Sequence, residues 1–162
     1  MAGVAIVLTA SFFAAPASAG CSDPPTPGVN YQGCSFDRLT MENVDLTGAR
    51  LRDATFMRAN LSESNLSDVS AQRAKFNSAT LTNVNFDGAV LFQADFSRAD
   101  LTGASFQGAD LRQVRFFGAT LRDADLTDAT MSGADLNRAD LSGATWMDGE
   151  HVCREGSVGR CN

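Results

Sequence analysis

Residues 94–113 read ADFSR-ADLTG-ASFQG-ADLRQ, which is four five-residue units with no insertion between them. In each unit a small residue comes first, a polar residue second, and Phe or Leu third. The same spacing continues through 23 units, whose third residues run from Phe36 to Trp146. The third residue is large and apolar everywhere except at Ala71, and the first residue is Ala in 16 units. A repeat of this regularity predicts a solenoid, in which each unit packs on its neighbours.

A period of five residues suits neither an amphipathic helix, which needs about 3.6, nor a half-buried strand, which needs about 2. On a helix, consecutive large residues would be rotated by about 140° and would scatter around the axis. The first and third residues of a unit lie two apart, so an extended chain points both to one side. The fifth residue is often Gly, Asp or Asn, which tolerate a positive φ. The pattern therefore predicts short extended segments joined by corners.

Units such as ADLTG (99–103), ADLSG (139–143) and ANLSE (59–63) resemble those of the pentapeptide-repeat family. The resemblance covers Cys34 to Trp146. It implies an all-β fold, a right-handed quadrilateral parallel β-helix with one unit on each side and four units in each coil. The large and small residues would then point inward. Twenty-three units would make nearly six coils, and the rod would be roughly 28 Å long at the spacing of neighbouring strands.

Sorting the large residues at a spacing of 20 checks the four-unit coil within the sequence itself. Five of the seven core Phe fall into one column, namely Phe36, Phe56, Phe76, Phe96 and Phe116. This column predicts a ladder of stacked rings, because offset aromatic pairs are favourable at the spacing of neighbouring strands. The alternative, in which Phe and Leu are interchangeable, would mix the columns. We interpret Ala71, which leaves its column short of one side chain, as a tolerated defect rather than a kink or a water site.

The two ends of the chain lie outside the repeat. Residues 1–15 form an apolar, uncharged stretch, and Ala17-Ser18-Ala19 fits a cleavage site before Gly20. Together they predict that residues 1–19 are a secretory signal peptide. No Lys or Arg lies near the first Met, so translation could begin upstream. We expect a Pro-rich N-terminal cap at 20–33, the β-helix at 34–147 and a C-terminal cap at 148–162. The mature protein is expected to be periplasmic or secreted and not to span a membrane.

Four Cys remain after such a cleavage, two before the repeat and two after it. An even number of Cys in an exported chain indicates two disulfides. Sequence alone allows three pairings, but a rod of this length keeps its ends apart, whereas a disulfide needs Cα atoms within about 7 Å. We therefore predict the pairs Cys21–Cys34 and Cys153–Cys161.

Two other uses of the cysteines compete with this pairing. The sequence Ser18-Ala19-Gly20-Cys21 resembles a lipobox, so Cys21 could carry a lipid, but Ser stands where Leu is usual. A zinc site of these Cys with His151 is less favoured, because their spacing matches no tight pair of ligands. We favour the disulfides over both.

We predict no catalytic residue, no metal and no cofactor, and hence no enzyme. Seven of the 15 Asp residues directly precede a core residue, a position that also takes Asn, Thr and Ser. These side chains share an ability to bond to nearby backbone, which predicts a role at the corners of the coil. The three Asp of DADLTD (123–128) do not follow the spacing of a calcium loop. His151, the only His, is expected to belong to the cap.

The exterior offers one charged column, at multiples of 20 residues: Arg38, Arg58, Arg98 and Arg138. These residues could form a basic stripe for a carboxylated polymer or an anionic surface. We favour the alternative that Asp37, Asp95 and Asp135 supply counter-charges. Two aromatic residues, Phe92 and Phe117, stand at outward positions on adjacent faces and are a further possible contact.

The preferred function is that of a non-enzymatic exported solenoid with a structural or protein-interaction role. Its partner would be an unknown protein or anionic polymer, with no nucleic acid expected, and the chain would be a monomer or weak dimer. The alternative is an acidic DNA mimic that binds a type II topoisomerase. That function needs a dense acidic surface in the cytoplasm, whereas the repeat carries 15 acidic against 11 basic residues.

Overall fold

The computed structural model describes residues 20–162. Within them the chain winds into a rod in which parallel bridges join residues 20 apart, from Asn30–Arg50 to Asp125–Thr145. No part of residues 20–162 forms a helix, and each strand is reduced to one bridging residue between two-residue turns. Four units therefore make one coil, and the fold is a parallel β-helix. No helix among these residues is long and apolar enough to cross a membrane.

We name the four sides of the rod after the inward large residues of one coil, residues 49–68. In chain order they are the Leu51, Phe56, Leu61 and Leu66 sides. Each side includes every unit that stacks on it at a spacing of 20, together with the corner that follows. The large and small residues are buried along most of the rod. The side chains between them and at the corners face solvent.

The corners explain why the fifth residue of a unit is so often Gly, Asp or Asn. That residue has a positive φ in all 22 units from Arg38 to Gly143. The N–H of the next residue donates to the carbonyl of the large residue, as Ala49 does to Leu46 at 2.9 Å, and closes a four-residue turn. Fifteen of the 22 residues are not Gly. The coil thus imposes the left-handed conformation on other side chains, at a cost of about 1–2 kcal/mol each.

The interior is filled by two aromatic ladders. In the first, the rings of Phe36, Phe56, Phe76, Phe96 and Phe116 stack with centroids 4.7–5.4 Å apart. In the second, on the opposite side, Phe86 and Phe106 stack at 5.1 Å. The two ladders meet edge to face at 5.6–6.1 Å, a geometry that adds to the stabilisation from burial.

Ala71 does not interrupt the coil. It is fully buried, and the bridges Arg50–Ser70 and Ser70–Val90 beside it are intact. The same coil holds two Phe, and their rings meet edge to face at 6.0 Å.

The ladder begins at Asn30, one unit before Cys34, at which the sequence places the start of the repeat. Tyr31 takes the inward large position of this extra unit and is 1% exposed. Its ring packs on Phe36 with centroids 4.6 Å apart, and its hydroxyl donates to the carbonyl of Asp23. An aromatic side chain with a satisfied polar tip therefore closes this end of the core.

The N-terminal segment covers only part of the first coil. Cys21 is joined to Cys34, which ties the Pro-rich residues to the rod. Leu39 occupies an inward small position yet is 50% exposed, and Met41 and Val44 beside it are half-buried. These residues begin the Leu61 and Leu66 sides and have no coil above them.

The tail beyond the repeat folds back over the last coil as two antiparallel bridges, Asp140–Val158 and Thr145–Val152. The disulfide between Cys153 and Cys161 closes it. It covers the Leu61 and Leu66 sides, so that Leu141 is fully buried. Solenoid ends need such caps because their edges otherwise leave backbone groups unpaired.

Candidate interaction surface

The polar residue before each large residue holds the corner in place. In the middle coils, the N–H of the first corner residue is the one backbone donor that neither the coil-to-coil ladder nor the turn at the corner uses. In all 11 described units with Asp or Asn before the large residue, the side-chain Oδ1 accepts from it at 2.7–3.2 Å. These residues are Asn30, Asp45, Asn60, Asn65, Asn85, Asp95, Asp100, Asp110, Asp125, Asp135 and Asp140. The carboxylates among them therefore serve the fold rather than acid–base chemistry.

Asp100 tests this role, since it accepts from both the N–H and the hydroxyl of Thr102, at 3.1 and 2.7 Å. We expect Asp100→Ala to lower the free energy of unfolding by about 1–2 kcal/mol, because a half-buried donor loses its partner. Asp100→Asn keeps the acceptor and should cost less than about 0.5 kcal/mol. Urea denaturation of both variants is the measurement. Equal losses would show that the charge, and not the corner bond, matters.

The corner bonds also make stability depend on pH. The hydroxyl of Thr47 holds the pKa of Asp45 below its usual value, as Ser142 does for Asp140 and the Arg112 guanidinium for Asp110. A carboxyl whose pKa is lower in the folded state stabilises the fold above its unfolded pKa, and that contribution is lost as the pH falls. We therefore expect the urea midpoint to fall as the pH drops below about 4, the ordinary value for Asp. A midpoint that rises on acidification would contradict this.

The other residues considered for chemistry are also placed in structural roles. The N–H of His151 donates to Asp148 Oδ1 at 2.8 Å, and its carbonyl accepts from Trp146 at 2.7 Å, so His151 belongs to the cap. Asp123 and Asp128 are exposed at successive corners, whereas Asp125 accepts from Thr127. Residues 20–162 contain no group of three His, Cys, Asp or Glu that could hold a metal ion.

Charge is divided between two halves of the rod. The Leu51 and Phe56 sides, with their corners, form the basic half, and the Leu61 and Leu66 sides, with theirs, form the acidic half. The basic half carries ten basic residues, namely Arg38, Arg50, Arg52, Arg58, Arg73, Lys75, Arg98, Arg112, Arg115 and Arg138. It carries five acidic ones, namely Asp37, Asp53, Asp95, Asp110 and Asp135.

The acidic half has the opposite balance. Its one basic residue is Arg122, which pairs with Asp140 at 3.0 Å and reaches Glu155 of the tail at 2.7 Å. Its acidic residues are Glu42, Asp45, Glu63, Asp68, Asp87, Asp100, Asp123, Asp125, Asp128, Asp140 and Asp148. A modest net charge along the repeat therefore conceals two strongly charged surfaces of opposite sign.

Three ion pairs neutralise part of the basic half: Arg73–Asp53 at 2.7 Å, Arg112–Asp110 at 2.7 Å and Arg115–Asp95 at 3.3 Å. The carboxylates expected to neutralise the Arg38 column are used elsewhere. Asp37 accepts from the N–H of Met57 at 2.8 Å, Asp95 pairs with Arg115, and Asp135 accepts from Asn137 at 3.0 Å.

These carboxylates therefore form no direct ion pair with the column. Among residues 20–162, no carboxylate oxygen lies within 4.0 Å of a guanidinium nitrogen of Arg38, Arg58, Arg98 or Arg138. All four side chains are exposed. A groove runs beside the first two and is lined by Asp37, Arg38, Met57, Arg58, Asn77 and Ser78.

The outward aromatic residues lie in the same half and are covered. The Arg112 guanidinium lies 5.7 Å from the ring centroid of Phe92, and that of Arg138 lies 5.5 Å from Phe117. Both distances are typical of cation–π pairs, and both Phe are half-buried. Met57, 39% exposed at the groove, is the more open apolar contact.

Comparison with known proteins agrees with this geometry. Residues 69–146 match the profile of the pentapeptide repeat region. HetL, a pentapeptide repeat protein involved in heterocyst differentiation regulation in the cyanobacterium Nostoc sp. strain PCC 7120, is 31% identical over 76% of this chain and 70% of its own, with a TM-score of 0.47. The chain belongs to the pentapeptide-repeat family.

Other solved structures show how widely this pentapeptide-repeat fold is shared. A pentapeptide repeat protein from the Arabidopsis thaliana thylakoid lumen is 24% identical over 83% of this chain and 84% of its own, with a TM-score of 0.52. QnrB1, a plasmid-mediated fluoroquinolone resistance protein, is 21% identical over 74% and 68%, with a TM-score of 0.37. Comparison with curated proteins finds no match. The right-handed quadrilateral β-helix that the family resemblance implied is confirmed.

One polar residue of this pentapeptide-repeat protein was missed by the sequence reasoning. Ser64 occupies an inward small position and is 2% exposed. Its hydroxyl accepts from the N–H of Val44 at 3.1 Å and donates to the carbonyl of Met41 at 3.0 Å. It thus bridges a turn whose direct bond is not formed. The only signal in the sequence is Ser at a position that is otherwise mostly Ala.

Proposed function

We propose that this pentapeptide-repeat protein is a non-enzymatic, exported solenoid that binds another protein through the sides and corners of its rod. Proteins of this family generally have structural or interaction roles. The observation that carries the proposal is the use of the Asp and Asn side chains to hold the corners. The side chains that could serve in acid–base chemistry are thus already bonded within the fold. The charged side chains exposed in straight columns are available for contact with a partner.

The disulfides support export. Each end of the rod carries one, and no free Cys remains among residues 20–162. Disulfides persist in oxidising compartments and are rare in the cytosol. The bond from Cys21 to Cys34 also uses the sulfur atom that a lipid would need, which argues against an anchor there. Residues 1–19, which we propose as the signal peptide, lie outside the described residues.

Fractionation with intact mass measurement tests export directly. The full chain is expressed with a C-terminal tag in a Gram-negative host, and the tagged species of each fraction is weighed before and after reduction. We expect a periplasmic chain that begins at Gly20 and gains four hydrogens on reduction, one for each Cys. The intact chain in the cytosol with free thiols would contradict export, and a lipid-sized increment on Cys21 would contradict the soluble form.

The acidic half favours one alternative function, that of a DNA mimic bound by a type II topoisomerase. It gathers 11 acidic residues and one basic residue on two adjacent sides. The basic half opposes this function, because a duplex is negative on every side. A supercoiling assay with purified gyrase separates the two functions. Inhibition below about 1 μM by the mature chain, a binding free energy near −8 kcal/mol, would replace our proposal with the mimic.

A further inference from the structure

The basic half contains more cations than its own carboxylates neutralise. Three of its ten basic residues are in ion pairs. The others have no carboxylate oxygen within 4.0 Å among residues 20–162: Arg38, Arg50, Arg52, Arg58, Lys75, Arg98 and Arg138. Six of these seven carry guanidinium groups, whose planar forks suit carboxylates. The chain is acidic overall, with a net charge of −6, so a cationic surface of this extent is not a by-product of composition.

The free cations follow the length of the rod. Arg38 and Arg58 are one coil apart, and Arg98 and Arg138 follow at intervals of two coils. At the spacing of neighbouring strands this column spans about 24 Å. An extended polypeptide covers that distance with about seven residues, since each adds about 3.3 Å. Met57 in the groove offers an apolar contact between the first two guanidinium groups.

We propose that the basic half binds an acidic, partly apolar segment of a partner polypeptide, laid lengthwise along the corner that carries Arg38, Arg58, Arg98 and Arg138. This inference rests on the proposed interaction function and specifies its surface and partner. The acidic half faces away from the partner and sets the orientation of the rod in the encounter.

Other occupants of this surface are distinguishable from an acidic segment. A second copy could place its acidic half on this surface, which would give a dimer that sedimentation detects. Base stacking, on which binding to single-stranded nucleic acid relies, needs open aromatic faces. Phe92 and Phe117 are each covered by a guanidinium group.

The experiment measures binding of a fluorescent peptide of alternating Glu and Leu to the mature, disulfide-bonded protein at low salt. The test variant is Arg58→Gln with Arg98→Gln, which keeps a side chain already found at such corners, as at Gln93 and Gln113. The matched control is Asn43→Asp with Asn83→Asp, which changes the net charge equally on the acidic half. Urea midpoints confirm that both variants are folded.

We expect the peptide to bind, with an affinity that falls as salt is added. The test variant should bind about tenfold more weakly. This is the loss expected when two exposed ion pairs, each near the upper end of the usual strength of such pairs, are removed. The control should bind as the parent does. Equal weakening in both variants, or no binding, would overturn the inference.

Three further outcomes distinguish binding of an acidic polypeptide from other occupants of this surface and from the proposed interaction function. Single-stranded DNA or polygalacturonate of equal charge that binds as tightly as the peptide would overturn the choice of a polypeptide. A dimer in sedimentation that the test variant abolishes would assign the surface to a second copy. A partner captured in cells whose binding does not depend on Arg58 and Arg98 would leave the interaction function standing and overturn this inference alone.

Discussion

Replacing Phe76 with Ala is expected to lower the free energy of unfolding by about 3–5 kcal/mol, the usual cost of removing a buried ring. Phe76 is fully buried and lies in the middle of the first ladder. Its ring stacks on Phe56 at 5.1 Å and on Phe96 at 4.7 Å, and meets Phe86 edge to face. One truncation therefore removes three aromatic contacts and leaves a cavity that a closed coil is poorly able to fill.

The matched control is Phe92→Ala, because Phe92 is at a corner and contacts Arg112 from outside. This change should cost less than about 1 kcal/mol, the scale of an exposed cation–π pair. Urea denaturation followed by far-ultraviolet circular dichroism measures both variants. Similar losses for the two would contradict the assignment of inward and outward positions on which the account of the fold depends.

Removing the C-terminal disulfide, with Cys153→Ser and Cys161→Ser, should cost about 2–3 kcal/mol in the loop-entropy model. The loss should be local, because each coil of a solenoid contacts only its neighbours. The N–H groups of Leu141, Gly143 and Trp146 donate to carbonyls of the tail. We expect these amides to lose protection from hydrogen exchange first, while those of the central coils remain protected.

The opposite end supplies the control. Cys21→Ser with Cys34→Ser should expose the amides of the first coil, which includes Tyr31 and Phe36, and leave the last coil protected. Exchange that rises equally along the rod after either change would contradict nearest-neighbour stabilisation. It would indicate instead that the two caps act on one cooperative unit.

The architecture could be predicted because the repeat is regular enough to reveal a family resemblance. That resemblance implied four units in each coil, the column of Phe at a spacing of 20 supported it, and the bridges from Asn30 to Thr145 follow the same register. Each position of the unit has a fixed environment, so residue type alone indicates inward, outward or corner. The corner role of Asp and Asn followed from their position before the large residue.

The contacts across the rod could not be predicted in this way, and the start of the repeat was placed one unit too late. The unit VNYQG (29–33), with Tyr31 at its large position, fits the repeat, but it was assigned to the N-terminal cap together with the Pro-rich sequence before it. The edge-to-face contacts of Phe86 join opposite sides of a coil. These contacts depend on the directions in which the side chains point, which the aligned sequence does not specify.

The candidate surface was only partly visible in the sequence. The Arg38 column could be identified at a spacing of 20, but its counter-charges were assigned by proximity in sequence. The structure directs Asp95 to Arg115 instead and Asp37 to a backbone N–H. The separation of charge into two halves appears only when all outward positions are grouped by side. The overall charge averages over both halves, and a single column shows only part of one half.

Photo-crosslinking from the four corners of the rod tests the central claim most directly, in the organism that encodes the protein. A benzophenone amino acid replaces one exposed corner residue at a time: Ser78 and Gln93 in the basic half, Asn83 and Asp68 in the acidic half. We predict that Ser78 and Gln93 crosslink to the same partner protein and that Asn83 and Asp68 do not. Crosslinking to that partner from the acidic corners alone, or to no protein from any corner, would contradict the account.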